Sequence, residues 1–452
     1  MKKQRLSIST THIILLGFLV AILIGAVLLA LPISAADGKP IPFLDALFTA
    51  TTSTCVTGLV VMPTVSSFSV FGQIIILLLI QVGGLGIVTV MSGVMILMHK
   101  KMGIGDRLLL QDAFNLNSLS GLVRFVKKVV RGTFVIEGLG ALLYMIVFVP
   151  EFGAKGIWIS VFTSVSAFCN AGIDIIAEDS LCNYVHNPVI NVVTCALIIL
   201  GGIGYIVWWD VIRVVKQART KKAKLWRNLT LHSKIAVTST LILIFAGAVL
   251  IFAFEYNNPK TMSEYTLLQK IGASFFQSVT TRTAGFATLP QENLTNATSV
   301  VCLLLMFIGG SPVGTAGGIK TVTFAVILIS AFASIRNKED TEAFGRQLTK
   351  HTVSKALAVT CMSFIIMFVS TVLLSAVTAA PALDILYETV SATATVGLTR
   401  NLTASLNGIG KFIIIVTMYL GRVGPISLAV AFRRGRDNKN IIRNPVEEIS
   451  VG

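Results

Sequence analysis

Eight long apolar stretches are the feature of this sequence that most restricts its fold. Each supplies the ~20 consecutive apolar residues that a helix needs to cross a bilayer. Only 13% of the residues are charged, against about 25% in a soluble domain. A soluble enzyme with an ordinary surface, a nucleic-acid-binding domain and a disordered scaffold are therefore excluded. The stretches cover approximately residues 12–33, 70–98, 132–150, 188–209, 235–254, 298–332, 356–380 and 410–432.

The basic residues indicate how the chain is oriented. Of the 37 Lys and Arg residues, 28 lie in the two terminal tails and three loops on one side, and 7 lie in loops on the other side. Because basic loops stay in the cytoplasm, we expect a multi-pass plasma-membrane protein with both termini cytoplasmic and no nucleic-acid partner. The outer loops are rich in Asp and Glu, which either raise the local cation concentration or are ordinary solvated charges.

A fourfold repeat lies between the members of each successive pair of apolar stretches. The half-length segments are LDALFTATTSTCVTGL (44–59), WISVFTSVSAFCNAGI (158–173), IGASFFQSVTTRTAGF (271–286) and LDILYETVSATATVGL (383–398). They align without a gap on Gly58, Gly172, Gly285 and Gly397, spaced by 114, 113 and 112 residues. An aromatic residue stands ten positions before each glycine: Phe48, Phe162, Phe275 and Tyr387. A fixed period of this kind indicates repeated architecture.

The repeat predicts an all-α polytopic membrane protein. Each unit consists of a spanning helix, a half-membrane pore helix and a second spanning helix, which gives eight spanning and four pore helices around a central pore. The predicted boundaries are 1–98, 124–216, 233–335 with an intramembrane glycine loop at 309–320, and 353–434, followed by a cytoplasmic tail at 435–452.

Half-length segments in a membrane require a special environment. Non-helical backbone is tolerated at that depth only where it is buried in protein or lines a wet cavity, and four repeats around an axis provide one. Returning strands can present rings of backbone carbonyls that replace the hydration shell of an ion. Taken singly, any of these glycines could serve helix packing instead. Four in register favour a cation pore.

Specific motifs resemble a known superfamily. Thr395-Val396-Gly397 is similar to the start of the potassium-channel filter sequence TVGYG, and four repeats on one chain resemble the KtrB, TrkH and plant HKT potassium transporters. TTSTCVTGL (51–59), SAFCNAG (166–172), TTRTAGF (280–286) and ATATVGL (392–398) resemble the KtrB type. There is no room before the first repeat for the additional helix pair of TrkH-type proteins, which also favours KtrB.

The resemblance implies a K⁺ uptake subunit without enzymatic activity. It implies no covalent cofactor, K⁺ as the transported ion, and Na⁺ as a candidate coupling or activating ion. Outside the fourth repeat the filter departs from TVG, and only the glycine is common to all four repeats. The implied K⁺-binding filter residues are Val56, Thr57, Gly58, Asn170, Ala171, Gly172, Thr283, Ala284, Gly285, Thr395, Val396 and Gly397.

A second repeated motif follows each filter segment: VGGLG (82–86), LGGIG (200–204), IGGSP (308–312) and LGRVG (420–424). In the third repeat it grows into a glycine-rich run, which disfavours a helix. By resemblance this run is a gate below the filter, and Arg422 is its cationic partner, unless Arg422 extends to the membrane boundary. The implied gate residues are Gly309, Gly310, Ser311, Pro312, Gly314, Thr315, Gly317, Gly318, Lys320 and Arg422.

The resemblance also implies partners: a homodimer in the lipid membrane that rests on a cytosolic nucleotide-binding regulatory ring of the KtrA type. The basic segment 213–234, with Trp226 at its centre, is the candidate docking surface, although attraction to anionic lipid would explain it equally well. The alternative function is a secondary transporter with broken helices around a midplane substrate site.

Overall fold

The computed structural model describes residues 10–98, 122–221, 225–338 and 340–424. Its first repeat contains helices α1 (Thr10–Ala30), α2 (Phe43–Cys55), α3 (Thr64–Ser67), α4 (Val70–Leu85) and α5 (Ile87–Leu97). The second contains α6 (Leu122–Phe152), α7 (Lys155–Cys169), α8 (Pro188–Gly202) and α9 (Tyr205–Lys221), followed by the short α10 (Leu225–Asn228). The third contains α11 (Leu231–Glu255), α12 (Leu267–Thr280), α13 (Asn296–Phe307) and α14 (Thr321–Ile335). A hairpin of β1 (Glu342–Ala343) and β2 (Arg346–Gln347) precedes the fourth, with α15 (Lys350–Val377), α16 (Ala382–Ala394) and α17 (Gly408–Val423).

Four of the described helices are individually long and apolar enough to cross a membrane: α1, α6, α11 and α15. Each is the first helix of a repeat, and much of its apolar surface faces outward. The outward apolar faces fit a lipid surrounding, because a water-soluble protein of this size would bury them. A polytopic all-α membrane fold, as the sequence predicts, is confirmed.

The pore helices α2, α7, α12 and α16 have 13 to 15 residues. At 1.5 Å per residue they are about 20 Å long, too short to span a bilayer. Their last turns are almost completely buried at the centre of the protein. Residues in the first turn stabilise the starts of three of these helices. Asp45 and Asp384 lie in the first turns of α2 and α16, and Thr266 and Gln269 form a capping box on α12.

In the third repeat, the aromatic residue that is buried in the pore helix is not the one that the sequence alignment selects. Phe48, Phe162 and Tyr387 have no exposed surface, as their repeat position suggests. In α12 the corresponding ring is Phe276, which is 1% exposed, and Phe275 is only partly buried. The pore helix of this repeat ends at Thr280, and one residue fewer separates its buried ring from the filter glycine. A gapless alignment on the glycine cannot register that shortening.

The second helix is interrupted in the first three repeats, whereas the apolar stretches alone suggest continuous spans, and in the fourth repeat α17 ends just before Gly424. Gly86, Gly204 and Gly424 have φ values of 83°, 92° and 89°, a left-handed conformation that glycine adopts without a steric penalty. At the Gly204 interruption, the axes of α8 and α9 differ by 97°. In the third repeat the segment 308–320 is non-helical. The part of the stretch 410–432 beyond Gly424, the tail 435–452 and residues 1–9 lie outside the described residues.

Candidate ion filter and gate

Each pore helix is followed by a turn with the same backbone conformation. The residue two positions before each filter glycine is left-handed: Val56, Asn170, Thr283 and Thr395 have φ values of 55°, 60°, 70° and 52°. Positive φ is uncommon for a residue that is not glycine, and rarer still for a β-branched one. Its recurrence at one position in all four repeats shows that the turn is a repeated structural unit.

The four filter glycines meet at the centre of the protein. All have positive φ, and a β-carbon added to any of them would lie less than 3.0 Å from a carbonyl oxygen of a neighbouring repeat. These contacts join Gly58 to Ala171, Gly172 to Ala284, Gly285 to Val396 and Gly397 to Thr57, which closes a ring in the order of the repeats. Eight of the twelve residues that the sequence predicts as a filter therefore come together in this ring, and only backbone fits at the glycine level.

Hydroxyl groups at the ends of the pore helices support the filter turns, and the sequence analysis missed them. Thr52 and Ser391 accept hydrogen bonds from the N–H groups of Gly58 (2.9 Å) and Gly397 (3.0 Å). In the other two repeats the hydroxyl donates to the carbonyl after the glycine, from Ser166 to Ile173 (2.5 Å) and from Thr280 to Phe286 (2.6 Å). The available signal was a Ser or Thr five or six positions before each glycine.

The glycines of the second helices lie directly behind the filter. A β-carbon on Gly83, Gly201 or Gly421 would lie less than 3.0 Å from the carbonyl oxygen of the residue four positions before the filter glycine of its own repeat. These carbonyl groups belong to Thr54, Phe168 and Thr393. The repeated GG and GR motifs therefore allow the second helices to approach the ends of the pore helices.

The non-helical segment 308–320, called the gate loop after the role predicted for it from the sequence, packs against the interruption between α8 and α9. Ser311 and Thr315 donate their N–H groups to the carbonyl oxygens of Gly202 (2.8 Å) and Gly201 (3.1 Å), and Val313 accepts from Tyr205 (2.8 Å). Within the loop, Lys320 donates from Nζ to the carbonyl of Ala316 at 2.6 Å. A cavity of about 350 Å³ borders this loop, the pore-helix residues Thr393 and Ala394, and the end of α17.

Arg422 lines the same cavity and connects the gate loop to the first repeat. Its Nη1 donates to the carbonyl oxygen of Thr315 at 2.7 Å, and its Nη2 donates to that of Gly83 at 2.5 Å. The guanidinium therefore bonds to protein carbonyls rather than extending to a membrane boundary. No carboxylate forms an ion pair with it within the described residues.

A further arginine, which is buried, joins the filter of the third repeat to the start of the gate loop. Arg282 lies three residues before Gly285 and is 7% exposed. It donates from Nη2 to the carbonyl of Gly309 (3.3 Å) and from Nη1 to that of Thr240 (3.4 Å). Cys55, Cys169 and Ala394 occupy this position in the other repeats. The sequence signal was a lone cation in an otherwise uncharged segment.

Two ion pairs hold the starts of pore helices in place. Asp45 pairs with Lys411 of the fourth repeat at 2.5 Å, and Asp384 pairs with Arg400 at 2.7 Å. Arg400 also donates to the carbonyl of Gln291 at 3.0 Å, which ties the third repeat to the fourth. Both aspartates have a cationic partner, so they add little net negative charge at the starts of the pore helices.

Four short helices that converge on a ring of glycines, with an irregular loop packed against their ends, are an arrangement typical of membrane proteins that carry ions. Residues 4–442 match the family model TrkH, described as cation transport protein. The chain is 41% identical over 442 residues to the Ktr system potassium uptake protein B of Bacillus subtilis (strain 168), covering 98% of this chain and 96% of that protein. It is 38% identical to the potassium/sodium uptake protein NtpJ of Enterococcus hirae, covering 100% and 99%.

The solved structure of the potassium transporter TrkH from Vibrio parahaemolyticus matches with a TM-score of 0.77 at 16% identity, over 96% of this chain and 86% of that one. This likeness concerns the fold. The chain belongs to the TrkH family of cation transport proteins, which are membrane transporters and not enzymes. The predicted membership of the KtrB/TrkH superfamily is confirmed.

Proposed function

We propose that this chain is the ion-translocating subunit of a K⁺ uptake system. The observation that carries the proposal is the closed ring in which each filter glycine approaches a carbonyl group of the next repeat. Rings of backbone carbonyls are the means by which potassium filters replace the hydration shell of the ion. The names of the relatives support K⁺ as the transported ion, and that of the Enterococcus hirae relative adds sodium uptake. Na⁺ as a coupling or activating ion of this chain is part of our proposal.

The gate loop and Arg422 form the closed state of this pathway in our proposal. A guanidinium is always charged, and a fixed positive charge about 4 Å from a permeating cation opposes it by roughly 4 kcal/mol at an effective dielectric constant near 20. Bonding of Arg422 to Thr315 and Gly83 keeps both the charge and the loop beside the cavity. Opening requires these bonds to break.

The functional test is growth at limiting K⁺. A cell that lacks its own K⁺ uptake systems is transformed with this chain, alone or with a Ktr-type regulatory subunit. We expect growth to be restored at K⁺ concentrations where the empty vector fails. Failure to grow, with the protein shown to be present in the membrane, would contradict the proposal.

The proposed topology places both chain termini and the basic loops in the cytoplasm, as the charge bias favours. The repeat boundaries are those proposed from the sequence. The partners are a second copy of this chain and a cytosolic nucleotide-binding ring of the KtrA type, and the system name of the Bacillus subtilis relative supports a further component.

The cytoplasmic docking surface combines α10 with the hairpin. Trp226 and Phe344 are about half exposed, and their rings lie 6.1 Å apart in an edge-to-face arrangement. Exposed aromatic residues with a basic rim are typical of protein interfaces. Lys221, Lys222 and Lys224 are part of the proposed surface, but their side chains lie outside the described residues.

Removal of the aromatic pair is expected to weaken ring binding. The double variant Trp226→Ala/Phe344→Ala should co-purify with the regulatory ring about tenfold less than the wild type, since aromatic residues dominate binding energy at interfaces. The matched control is Lys→Gln at positions 221, 222 and 224, which tests the charge alone. Undiminished co-purification of both variants would favour lipid attraction as the role of the segment.

Asp174 provides a pH-dependent element two residues beyond Gly172. Burial raises the pKa of Asp174 to about 6, against hydrogen bonds from Ser180 and from the N–H groups of Ile176 and Ala177 that lower it. Acidification through pH 6 therefore protonates this carboxylate and removes a negative charge near the outer end of the filter.

The half-saturation concentration for K⁺ is expected to rise about twofold when the pH is lowered from 7.5 to 5.5. The reason is that one negative charge attracts a K⁺ ion about 8 Å away by about 0.5 kcal/mol in water, and protonation removes this attraction. Initial rates of uptake across that pH range measure it. Asp174→Asn should show the high value at every pH. Parallel pH profiles for the variant and the wild type would contradict this role.

A further inference from the structure

Asn170 differs from its counterparts in the other three filter turns. It holds the left-handed position that Val56, Thr283 and Thr395 hold elsewhere, and it is 1% exposed. Asparagine adopts this conformation more readily than most residues. A buried amide, however, needs hydrogen-bond partners for both its nitrogen and its oxygen.

The partners of the Asn170 amide lie on opposite sides of it. Its Nδ2 donates to Oγ1 of Thr283, in the filter turn of the third repeat, at 3.4 Å. Its Oδ1 accepts from Oγ1 of Thr315, in the gate loop, at 3.5 Å. The Thr315 hydroxyl also donates to the carbonyl oxygen of Phe168, at the end of α7, over the shorter distance of 3.0 Å, so its single proton is shared between the two acceptors. The amide thus lies between one filter turn and the gate loop.

These contacts continue through the gate to the remaining repeats. The Thr315 carbonyl accepts a hydrogen bond from Arg422, which also donates to Gly83. The path from Thr283 through Asn170, Thr315 and Arg422 to Gly83 includes residues from all four repeats. Gly201 and Gly202 close the space around the amide, because a β-carbon on Gly201 would lie 3.1 Å from its Oδ1.

We propose that Asn170 is a positioning residue that couples the filter to the gate loop through Thr315, so that one side chain shapes the filter and holds the loop closed. The proposal rests on the proposed function. Withdrawal of the loop removes Thr315 but leaves the bond between Asn170 and Thr283. Thr315 therefore stabilises only the closed state, whereas Asn170 acts on the closed state and on the ion preference.

Substitutions at two positions separate these effects. Asn170→Val introduces the residue that the first repeat carries at the same left-handed position, and Asn170→Thr introduces that of the third and fourth repeats. Thr315→Val removes the hydroxyl at nearly constant shape, and Thr315→Ser retains it. The matched control is Thr417→Val, which removes a buried hydroxyl pair between Thr417 and Ser370 (2.8 Å) away from filter and loop.

K⁺ uptake velocity without the regulatory subunit and the K⁺ over Na⁺ ratio are measured for every variant, normalised to protein in the membrane. We expect Thr315→Val to raise uptake about fivefold, the effect of one buried hydrogen bond, with an unchanged ion ratio. Asn170→Val should raise uptake and lower the ratio, each about fivefold. The double variant should gain no more uptake than Thr315→Val, since coupled residues are not additive. Thr315→Ser keeps the hydroxyl and should raise uptake less than Thr315→Val does, and Thr417→Val should match the wild type.

An Asn170 variant that changes only the ion ratio, or uptake gains that multiply in the double variant, would overturn the coupling. Asn170→Thr gives the same test if Asn170→Val does not reach the membrane. A wild-type chain that fails to restore growth at limiting K⁺ would instead contradict the proposed function, so the two failures are distinguishable.

Discussion

Substitution of any one filter glycine by serine is expected to lower K⁺ over Na⁺ discrimination by about tenfold or more, a loss of about 1.4 kcal/mol in selectivity. A side chain at Gly397 would face the Thr57 carbonyl oxygen at less than 3.0 Å, and the φ of 96° is one that side chains rarely adopt. The left-handed conformation alone costs a non-glycine residue roughly 1–2 kcal/mol. The backbone must therefore shift, and the carbonyl ring with it. Competition of Na⁺ with K⁺ uptake measures the change.

The chain offers a control glycine inside one of the pore helices. Gly272 lies in the pore helix α12, and a β-carbon there would meet no atom within 4 Å. Gly272→Ser should therefore transport and discriminate as the wild type does. If serine at Gly58, Gly172, Gly285 and Gly397 in turn leaves both the K⁺ and the Na⁺ uptake constants unchanged, the glycine ring is not the filter.

The second large effect is expected at Arg422. Replacement by glutamine removes the fixed charge and at least one of the two bonds to Thr315 and Gly83. Without the regulatory subunit, uptake velocity should rise about tenfold, because each 1.4 kcal/mol of lost closed-state stability changes the equilibrium by that factor. Deletion of residues 313–317 should also raise the uptake velocity. The ion ratio should stay that of the wild type, since Arg422 does not contribute to the glycine ring.

Arg422→Lys is the informative companion variant. Lysine keeps the charge, but it cannot reproduce a guanidinium group that reaches two carbonyl groups at once. We therefore expect the uptake velocity of Arg422→Lys to lie between the velocities of the wild type and of Arg422→Gln. Equal velocities for the wild type, the glutamine variant and the loop deletion, with and without the regulator, would contradict the gate.

The elements that recur in every repeat could be predicted from the sequence. The filter glycines and their turns recur with a period of about 113 residues, so that each copy supports the others. The period also located the pore helices. It could not place Phe276, because the third repeat is one residue shorter between the buried ring and the glycine than the other repeats.

Contacts between distant parts of the chain could not be predicted. Arg282 lies 27 residues from Gly309, and Asp45 lies 366 residues from Lys411, so neither pairing has a local sequence signal. The glycine-rich run of the third repeat predicted an interruption there, but the interruptions of the first two repeats were not predicted, since apolar composition favours a continuous span. A single glycine in an apolar stretch is compatible with a continuous helix, and only its φ value in the structure shows that the helix is broken there.

The measurement that tests the central claim most directly is ion flux through the purified full-length chain in liposomes, with K⁺ on one side and increasing Na⁺ in competition. The account predicts K⁺ flux that Na⁺ inhibits only weakly in the wild type and in Gly272→Ser, and strongly in Gly397→Ser. Equal inhibition by Na⁺ in all three proteins would contradict a selective pathway through the ring of four glycines.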